Sequence, residues 1–393
     1  MPRVYGTVVH MLPTHPIPLS LYIHIPWCTK KCPYCDFNSH QVRSTIPEAD
    51  YVRCLIEDLR ADQSDIQGRP LQSIFFGGGT PSLFQATSID QILRAVDRIL
   101  PIQAQTEITL EANPGSAQRQ RFKDYRSAGI NRISLGAQSF QDEKLAALGR
   151  IHSAAEIEQA IDDIIQSGFT RFNIDLMYGL PHQTLEDACF DLQSALAFEP
   201  PHLSWYHLTI EPNTIFYQKK PPLPPEDTVC DLQDAGLAIL AERGLQPYEV
   251  SAFARSNTER CVHNVNYWQF GDYLGIGAGA HAKITDLQYK TIKRCWKTRS
   301  PRDYLDRSKS PLAGTRLLQQ NEIPLEFMLN ALRLEEGISL EFFEARTFLK
   351  RSCIEAPLKR AVEAQLLGVN NQHIRPTELG KRFLNDLVAN FME

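Results

Sequence analysis

Three cysteines, Cys28, Cys32 and Cys35, fall within eight residues, directly after an apolar run of the chain. Structural zinc sites usually take four protein ligands, and this chain has no second cysteine pair of the kind that completes such sites. An iron–sulfur cube contains four irons, so three thiolates leave one iron open to an exchangeable ligand. The spacing therefore favours a cluster with one open coordination position over a zinc site.

Polar side chains stand at the ends of four later apolar runs, where a ligand bound beside the cysteines would lie. Glycines in "FFGGGTPS" (75–82) allow backbone groups to approach a ligand closely. One cation for a carboxylate and several acceptors for an amine and ribose hydroxyls form a set suited to a zwitterionic nucleoside. The side chains in this set are Thr80, Glu111, Gln138, Arg150 and Asp175.

Six short apolar runs alternate with stretches of helical spacing, and this pattern predicts a parallel sheet covered by helices. Little alternation within the runs indicates a sheet buried on both faces. Six units fit either an open doubly wound sheet or a partial barrel, and both place chemistry at the carboxyl ends of the strands. The runs cover residues 21–26, 73–78, 107–113, 132–137, 171–181 and 203–212.

The pattern divides the chain into four parts. Residues 1–19 contain four prolines and read as a loose leader, and residues 20–255 carry the alternating units. Residues 256–310 form a connecting segment rich in Gly, His and aromatic residues, and residues 311–393 contain amphipathic patterns typical of a small α-rich domain. The Pro-rich stretch 219–227 is predicted to run along the surface, either as a spacer or as a lid.

Composition limits the classes of partner. The formal charge of −5 and the lack of a long basic run argue against nucleic acid as the principal partner. No run approaches the roughly 20 apolar residues of a membrane span, which leaves peripheral membrane contact open. An odd total of nine cysteines argues against a disulfide framework, so we expect a cytoplasmic protein with reduced thiols.

The cysteine triplet, its place after the first strand and the strand-end residues resemble the radical S-adenosylmethionine (SAM) superfamily. In that family three cysteines hold a 4Fe–4S cluster, SAM takes the open iron, and reduction cleaves SAM to a radical. The resemblance implies a partial (β/α)6 TIM-like barrel with a small α-rich C-terminal domain. It implies SAM contacts from Tyr22, Tyr34, Gly78, Gly79, Thr80, Glu111, Gln138, Arg150 and Asp175.

The same residues, in this order, resemble the anaerobic coproporphyrinogen oxidase branch of that superfamily. The oxidases carry a Gly-Cys pair directly after the third ligand, whereas this chain has Asp36 and Phe37 there, and its leader is shorter than their N-terminal arm. The stretch "CPYCDFNSH" instead resembles the sister family of heme chaperones called HemW, which hand heme to acceptor proteins.

The chaperone resemblance also includes "HNVNYW" (263–268), which fits the H-N-x-x-Y-W motif associated with heme binding in that family. An imidazole is a natural axial ligand for heme iron, and the rings of Tyr267 and Trp268 supply flat apolar contacts. We therefore predict that His263 ligates heme iron; a hydrogen-bonded structural role is the alternative. Cys261 is a weaker alternative ligand or attachment point.

Two further stretches are open to more than one interpretation. We interpret "GIGAGAHA" (275–282) as close backbone packing near the SAM or tetrapyrrole site, with His281 either a secondary ligand or a structural residue. The basic stretch 290–302 has three interpretations: a contact with tetrapyrrole propionates, a contact with a membrane surface, or a face exposed to solvent.

The sequence thus predicts a heme chaperone that binds heme, a 4Fe–4S cluster and SAM and passes heme to an acceptor protein, with a homodimer as a further expectation. The alternative is an enzyme that oxidatively decarboxylates coproporphyrinogen III to protoporphyrinogen IX. Radical SAM chemistry on another substrate is a third interpretation, because the SAM-contact set is intact. The replacement of the oxidase Gly-Cys pair by Asp36 and Phe37 favours the chaperone.

Overall fold

The computed structural model describes residues 17–116 and 119–392, so most of the predicted leader lies outside the described residues. The chain forms two compact units, one spanning Leu19–Leu318 and the other containing the residues from Gln319 onward. No helix in the described ranges is long and apolar enough to cross a membrane.

Within the described residues, the larger unit contains fourteen strands and ten α-helices. Its strands are β1 Leu19–Ile25, β2 Trp27–Cys28, β3 His40–Gln41, β4 Leu71–Gly78, β5 Glu107–Ala112, β6 Arg132–Gln138, β7 Phe172–Tyr178, β8 His202–His207, β9 Gln246–Glu249, β10 Ala252–Ala254, β11 Asp272–Ile276, β12 His281–Asp286, β13 Thr291–Lys297 and β14 Leu312–Leu317. Its helices are α1 Glu48–Ala61, α2 Ala86–Ile99, α3 Arg119–Ala128, α4 Asp142–Ala147, α5 Ala154–Gln166, α6 Leu185–Leu196, α7 Ile215–Gln218, α8 Glu226–Glu242, α9 Val262–Trp268 and α10 Pro301–Leu305.

The strand order distinguishes a barrel from a doubly wound sheet. Strands β1, β4, β5, β6, β7 and β8 are neighbours in chain order, and each pair is parallel. A doubly wound sheet would reverse its order at a switch point, whereas each unit here adds on the same side, as in a barrel. The two sheet ends, β14 and β9, are not paired with each other, so the barrel is partial, as the sequence resemblance predicted.

The strands alternate between an apolar outer face and a polar inner face. In β1 the outer side chains Leu19, Leu21, Ile23 and Ile25 are fully buried in the main hydrophobic core, while the alternate residues face inward, as the period of two requires. The expectation that the strands are buried on both faces is right. Their inner face, however, is largely polar, because it lines the cavities described below.

Residues 256–310, expected to be a connecting segment, supply helix α9 and extend the barrel sheet. Strand β11 pairs parallel with β1, and β12, β13 and β14 follow as antiparallel neighbours. At the other edge β10 and β9 pair antiparallel with β8 and with each other. In the part of the chain that the structure describes, the large sheet therefore has twelve strands, six of which are the predicted parallel core.

The second unit is α-rich, as expected, and also carries a small sheet. The sheet has the order β15-β17-β16. The elements are α11 Ile323–Ala331, β15 Ile338–Ser339, α12 Leu340–Thr347, α13 Glu355–Glu363, β16 Leu367–Asn370, β17 His373–Pro376, α14 Glu378–Arg382 and α15 Leu384–Ala389.

Candidate functional site

The three cysteines lie on one loop between β1 and α1, at the carboxyl end of the barrel strands. The loop is closed by the short parallel pair β2–β3, where Cys28 is the register partner of Gln41, and by a bond from the Val42 amide to the Cys28 carbonyl at 2.9 Å. A turn follows in which the Cys35 amide donates to the Cys32 carbonyl at 3.2 Å. All three thiols are free and half-buried. The chain thus presents the thiols as one group.

Burial raises the pKa of the Cys28 thiol and that of the Cys35 thiol. Cys35 Sγ also lies 3.7 Å from Ser39 Oγ, its hydrogen-bond partner. Metal binding at these thiols therefore releases protons. The described residues contain no group of three or more His, Cys, Asp or Glu side chains arranged to hold a metal ion.

The glycines at the carboxyl end of β4 pack against β1 and the cysteine loop. A Cβ on Gly78, whose φ is +117°, would lie 2.6 Å from the His24 ring, and a Cβ on Gly79 would lie 2.5 Å from the Trp27 carbonyl oxygen. The Gly78 amide donates to Glu111 Oε2 at 3.1 Å. These glycines line the site, but the close approach they allow is to protein atoms.

Two carboxyl groups, Glu111 and Asp175, face the site from β5 and β7. Asp175 accepts hydrogen bonds from Asn173 Nδ2 at 2.7 Å and Ser134 Oγ at 3.1 Å. Burial is the main cause that raises the pKa of Glu111 to about 8, and the charge of Asp175 adds to it. Burial also raises the pKa of Asp175. Carboxyls with raised pKa values in a cleft are typical of functional sites.

Glu111 gives the fold a pH-dependent stability that Glu111→Gln should remove. Between the ordinary pKa of 4.5 and the folded pKa of about 8, the folded protein binds more protons than the unfolded chain. The free energy of unfolding therefore falls as pH rises, by up to about 1.4 kcal/mol per pH unit. We expect Glu111→Gln to match the parent at pH near 5 and to exceed it near 8, in urea unfolding without SAM.

A matched control for this measurement is Glu158→Gln, on an exposed position of α5. Glu158→Gln should leave the change in the free energy of unfolding between pH 5 and pH 8 the same as in the parent. An equal pH dependence in the Glu111→Gln protein and the parent would contradict the assigned ionisation.

Arg150 connects the cysteine loop to the strand ends. Its guanidinium donates to Asn113 Oδ1 at 2.7 Å, to the Gly136 carbonyl at 2.8 Å and to Cys32 Sγ at 3.7 Å. Asn113 in turn donates to Thr80 Oγ1 at 2.8 Å. Sequence reasoning missed Asn113, although it is the last residue of the third apolar run, 107–113.

Gln138 and Tyr34 are two further predicted SAM contacts that line the space beside the cysteines. Gln138 is buried at a positive φ of +76°, and its side-chain oxygen accepts from the Tyr206 hydroxyl at 2.8 Å. Tyr206, on the inner face of β8, is a second residue that sequence reasoning missed. The Tyr34 ring borders the same space and lies 6.3 Å from the Phe216 ring.

The site contains two kinds of space. The cluster cavity, bordered by the three cysteines, Arg150 and Asp175, holds about 140 Å³, and an adjoining cavity of about 120 Å³ shares Cys32 and Arg150 with it. Both volumes are below the roughly 300–1,000 Å³ of typical ligand pockets.

The second space, the aromatic cavity, holds about 710 Å³ and contacts the cluster cavity through shared lining residues. Phe37, Gly78 and Glu111 border both cavities. The aromatic cavity takes its name from the rings of Tyr22, Phe37, Tyr267, Tyr273 and Trp296. The structure thus places Tyr22, predicted to contact SAM, on the aromatic cavity.

The predicted heme ligand His263 lies deeper in the barrel, on α9. Its Nδ1 lies 2.9 Å from Ser73 Oγ, which donates to Ser20 Oγ at 2.8 Å, so Nδ1 carries the proton and Nε2 a bare lone pair. That Nε2 is buried with no hydrogen-bond partner among the described residues, and burial lowers the pKa of His263 to about 3. The ring stacks on Phe75 at 4.8 Å.

The structure separates the three residues of the predicted heme motif. Tyr267 borders the aromatic cavity, whereas His263 and Trp268 do not. The ring centroids of His263 and Tyr267 lie 5.0 Å apart, so His263 packs behind the tyrosine. Iron ligation by His263 stays a prediction.

The comparisons with known proteins agree with this geometry. Residues 22–193 match the family model of the Radical SAM superfamily, and residues 318–383 match that of the HemN C-terminal domain. Coproporphyrinogen III oxidase (HemN) from Escherichia coli, a solved structure, has a TM-score of 0.81 over 95% of this chain and 90% of that chain at 24% identity, a likeness that shows the fold. The class is therefore that of the radical SAM proteins.

Two curated relatives specify the family. Heme chaperone HemW of Haemophilus influenzae is 48% identical over 384 residues, which cover 95% of this chain and 98% of the relative. Heme chaperone HemW of Escherichia coli is 46% identical over 375 residues, with 95% and 98% coverage. The chain belongs to the HemW heme chaperone family.

Proposed function

We propose that this protein is a heme chaperone of the radical SAM type, which binds heme beside a 4Fe–4S cluster and SAM and passes the heme to an acceptor protein. The observation that carries the proposal is the aromatic cavity, which adjoins the cluster cavity, holds about 710 Å³ and is bordered by five aromatic rings against which a porphyrin can pack. The names of the family relatives support it, since they are heme chaperones.

The residues of the cluster cavity fit a 4Fe–4S cluster and SAM. Cys28, Cys32 and Cys35 are the cluster ligands in this proposal, and a bound cluster supplies electrons and an open iron for the SAM amine and carboxylate. Arg150 offers a charged donor suited to the carboxylate once it turns from Cys32. Asp175 offers acceptor oxygens for the ribose hydroxyls.

Several other predicted SAM contacts border the same cavity. Glu111 is an acceptor for the SAM amine, and its ionised form binds that cation better than its neutral form. Tyr34 provides a ring beside the cluster, and Gln138 is held by Tyr206 at the back of the site. Tyr22, in contrast, borders the aromatic cavity, which holds the heme in this proposal.

Phe37 supports a chaperone more than an oxidase. It follows the third cysteine by two residues, its side chain is 61% exposed, and it borders both cavities. In the oxidase branch the sequence resemblance places a cysteine at this position. An apolar ring there offers packing to a bound porphyrin but no thiol chemistry.

The proposal is tested with the full-length chain, purified without oxygen and with its cluster reconstituted. Titration with heme should saturate at a single heme per chain, measured by absorbance of the Soret band. The same preparation, given coproporphyrinogen III, SAM and a reductant, should form no protoporphyrinogen IX. Absence of heme binding would overturn the proposal, and sustained formation of protoporphyrinogen IX would establish the oxidase instead.

The acceptor protein is the remaining partner in this function, and a cytoplasmic location accords with free thiols at the site. A homodimer and peripheral contact with a membrane stay predictions from the sequence.

A further inference from the structure

A pair of buried hydroxyl groups lies beside the predicted heme ligand. Ser20 on β1 and Ser73 on β4 are register partners near the amino ends of their strands, and both are fully buried. Ser73 Oγ lies 2.9 Å from His263 Nδ1 and donates to Ser20 Oγ at 2.8 Å. We propose that Ser73, oriented by Ser20, is the positioning residue of the heme ligand: it accepts the Nδ1 proton of His263 and keeps Nε2 free to bind iron. This inference rests on the proposed heme-binding function.

The order of donors and acceptors in this pair selects one form of the histidine ring. A serine hydroxyl has one proton to donate, and Ser73 gives it to Ser20. Toward His263 the Ser73 oxygen can therefore only accept, so Nδ1 must carry the proton of the neutral imidazole. The other ring nitrogen, Nε2, is then the one with the lone pair. Ser20 thus acts on the ring through Ser73.

The fold gives Nε2 no partner of its own. His263 Nε2 is buried and has no hydrogen-bond partner among the described residues. The imidazole centroid lies 4.8 Å from the ring centroid of Phe75, 5.0 Å from that of Tyr267 and 6.2 Å from that of Tyr22. A buried polar atom without a partner needs an explanation, and coordination of iron provides one. A histidine that binds a metal through one nitrogen usually donates the other N–H to a fixed acceptor, and Ser73 supplies that acceptor.

The backbone of His263 is fixed as well, from the same end of the barrel. Its amide donates at 3.2 Å to Oε1 of Glu107, the first residue of β5. The other carboxylate oxygen of Glu107 pairs with Arg171 at 2.8 Å and lies 3.6 Å from Arg132. The ring and the backbone of the ligand are thus tied to three neighbouring strands, β1, β4 and β5, which sets the directions of both ring nitrogens.

A purely structural role for Ser73 predicts different results. If Ser73 only satisfied a buried imidazole, its removal would lower the stability of the fold and leave the heme iron unaffected. A positioning residue instead sets the fraction of the protein that can bind iron, because only the ring with a bare Nε2 can do so. The hydrogen bond that it accepts also makes the ligand more basic.

The first experiment needs no heme. In the full-length, cluster-reconstituted chain with isotope-labelled histidine, long-range proton–nitrogen NMR correlations show which ring nitrogen carries the proton, and His263→Ala identifies the signal. The parent should show His263 protonated at Nδ1. Ser20→Ala releases the Ser73 hydroxyl to donate to Nδ1 and should shift the proton to Nε2, whereas Ser73→Thr should match the parent. A proton on Nε2 in the parent would overturn the proposal.

The second experiment titrates heme into the same variants. Binding by Ser20→Ala should weaken by the factor by which the form with bare Nε2 falls, about tenfold if about one tenth of the protein keeps that form. Ser73→Ala should also weaken binding about tenfold, within the roughly 10–100-fold that outer partners of metal ligands contribute. It should raise the reduction potential of the heme, since a less basic ligand stabilises the ferric iron less. Ser73→Thr, which keeps the hydroxyl, should restore both affinity and potential.

The matched control is Thr109→Val, which removes another buried hydroxyl on a neighbouring strand. Thr109 on β5 is the register partner of Phe75, and its Oγ1 has no hydrogen-bond partner in the part of the chain that the structure describes. This variant should keep the heme affinity, the reduction potential and the ring protonation of the parent. Cluster iron content and far-UV circular dichroism show that each variant is folded and loaded. If Ser73→Ala does not fold, Ser20→Ala tests the same relation.

The outcomes separate this inference from the proposed function. If the parent binds no heme, the function itself fails. If the parent binds heme but Ser73→Ala and Ser20→Ala keep its affinity and its potential, the function stands and the inference fails. Retention of the parent's heme spectrum by His263→Ala would place the iron ligand elsewhere and would also refute the inference. Weaker binding that follows the NMR fraction in Ser20→Ala, with recovery in Ser73→Thr, establishes Ser73 as the positioning residue.

Discussion

Cys32→Ser is expected to abolish cluster binding, and Cys28→Ser and Cys35→Ser should do the same. Each of the three thiols is the ligand of a different iron in the proposed cluster, so the loss of one leaves two irons without a protein ligand. The measurement is the iron and sulfide content per chain after anaerobic reconstitution, together with the cluster absorbance. We expect a complete loss for each single variant, against a nearly full cluster in the parent.

The matched control is Cys230→Ser, at an exposed free cysteine of α8. It should bind the cluster as the parent does, because a solvent-facing thiol away from the loop contributes no ligand. Zinc in place of iron in the anaerobically purified parent, or an unchanged cluster in any loop variant, would refute the assignment.

The barrel and its cysteine loop could be predicted from the sequence because local patterns determine them. Each apolar run of the six units became a parallel strand, since a short β-rich segment followed by a helix has few other ways to bury its apolar side chains. The three cysteines are close in sequence, so any loop conformation brings them together. Their assignment needed no knowledge of distant contacts.

The heme side of the site could not be predicted in the same way, because it depends on contacts between distant residues. The motif at 263–268 indicated His263, but the sequence does not show that α9 packs its histidine against Phe75 and Ser73, some 190 residues away along the chain. Asn38 joins the turn before His281 to Arg299 through bonds that span 240 and 261 residues. Such contacts decide which side chains border a cavity, and they follow only from the assembled sheet.

Lys297→Met is expected to destabilise the larger unit by about 3–5 kcal/mol, the usual cost of removing one partner from a buried ion pair. Lys297, at the end of β13, is 2% exposed and donates to Asp58, on α1, at 2.6 Å. Asp58 also accepts from the Tyr304 hydroxyl at 2.6 Å and is fully enclosed, so the variant leaves its charge uncompensated. The measurement is the free energy of unfolding in urea at pH 7.

The pH of this measurement does not reduce the effect. Burial opposes the charged form of Lys297, but the charges of Asp58 and Asp62 outweigh it and raise the pKa of Lys297. A raised folded pKa gives a stabilisation that is fully present below the ordinary lysine pKa of about 10.4 and is lost only as pH rises further. At pH 7 the whole contribution is therefore measured.

Two comparisons make the result specific to the buried pair. Lys309→Met removes an exposed ion pair with Asp303 and should leave the free energy of unfolding almost unchanged, because solvent screens such pairs. Asp58→Asn combined with Lys297→Met should recover part of the loss, since the double variant no longer buries an unpaired charge while the introduced amide oxygen still accepts from Tyr304. Equal losses in the single and double variants would show that Lys297 stabilises the fold by packing alone.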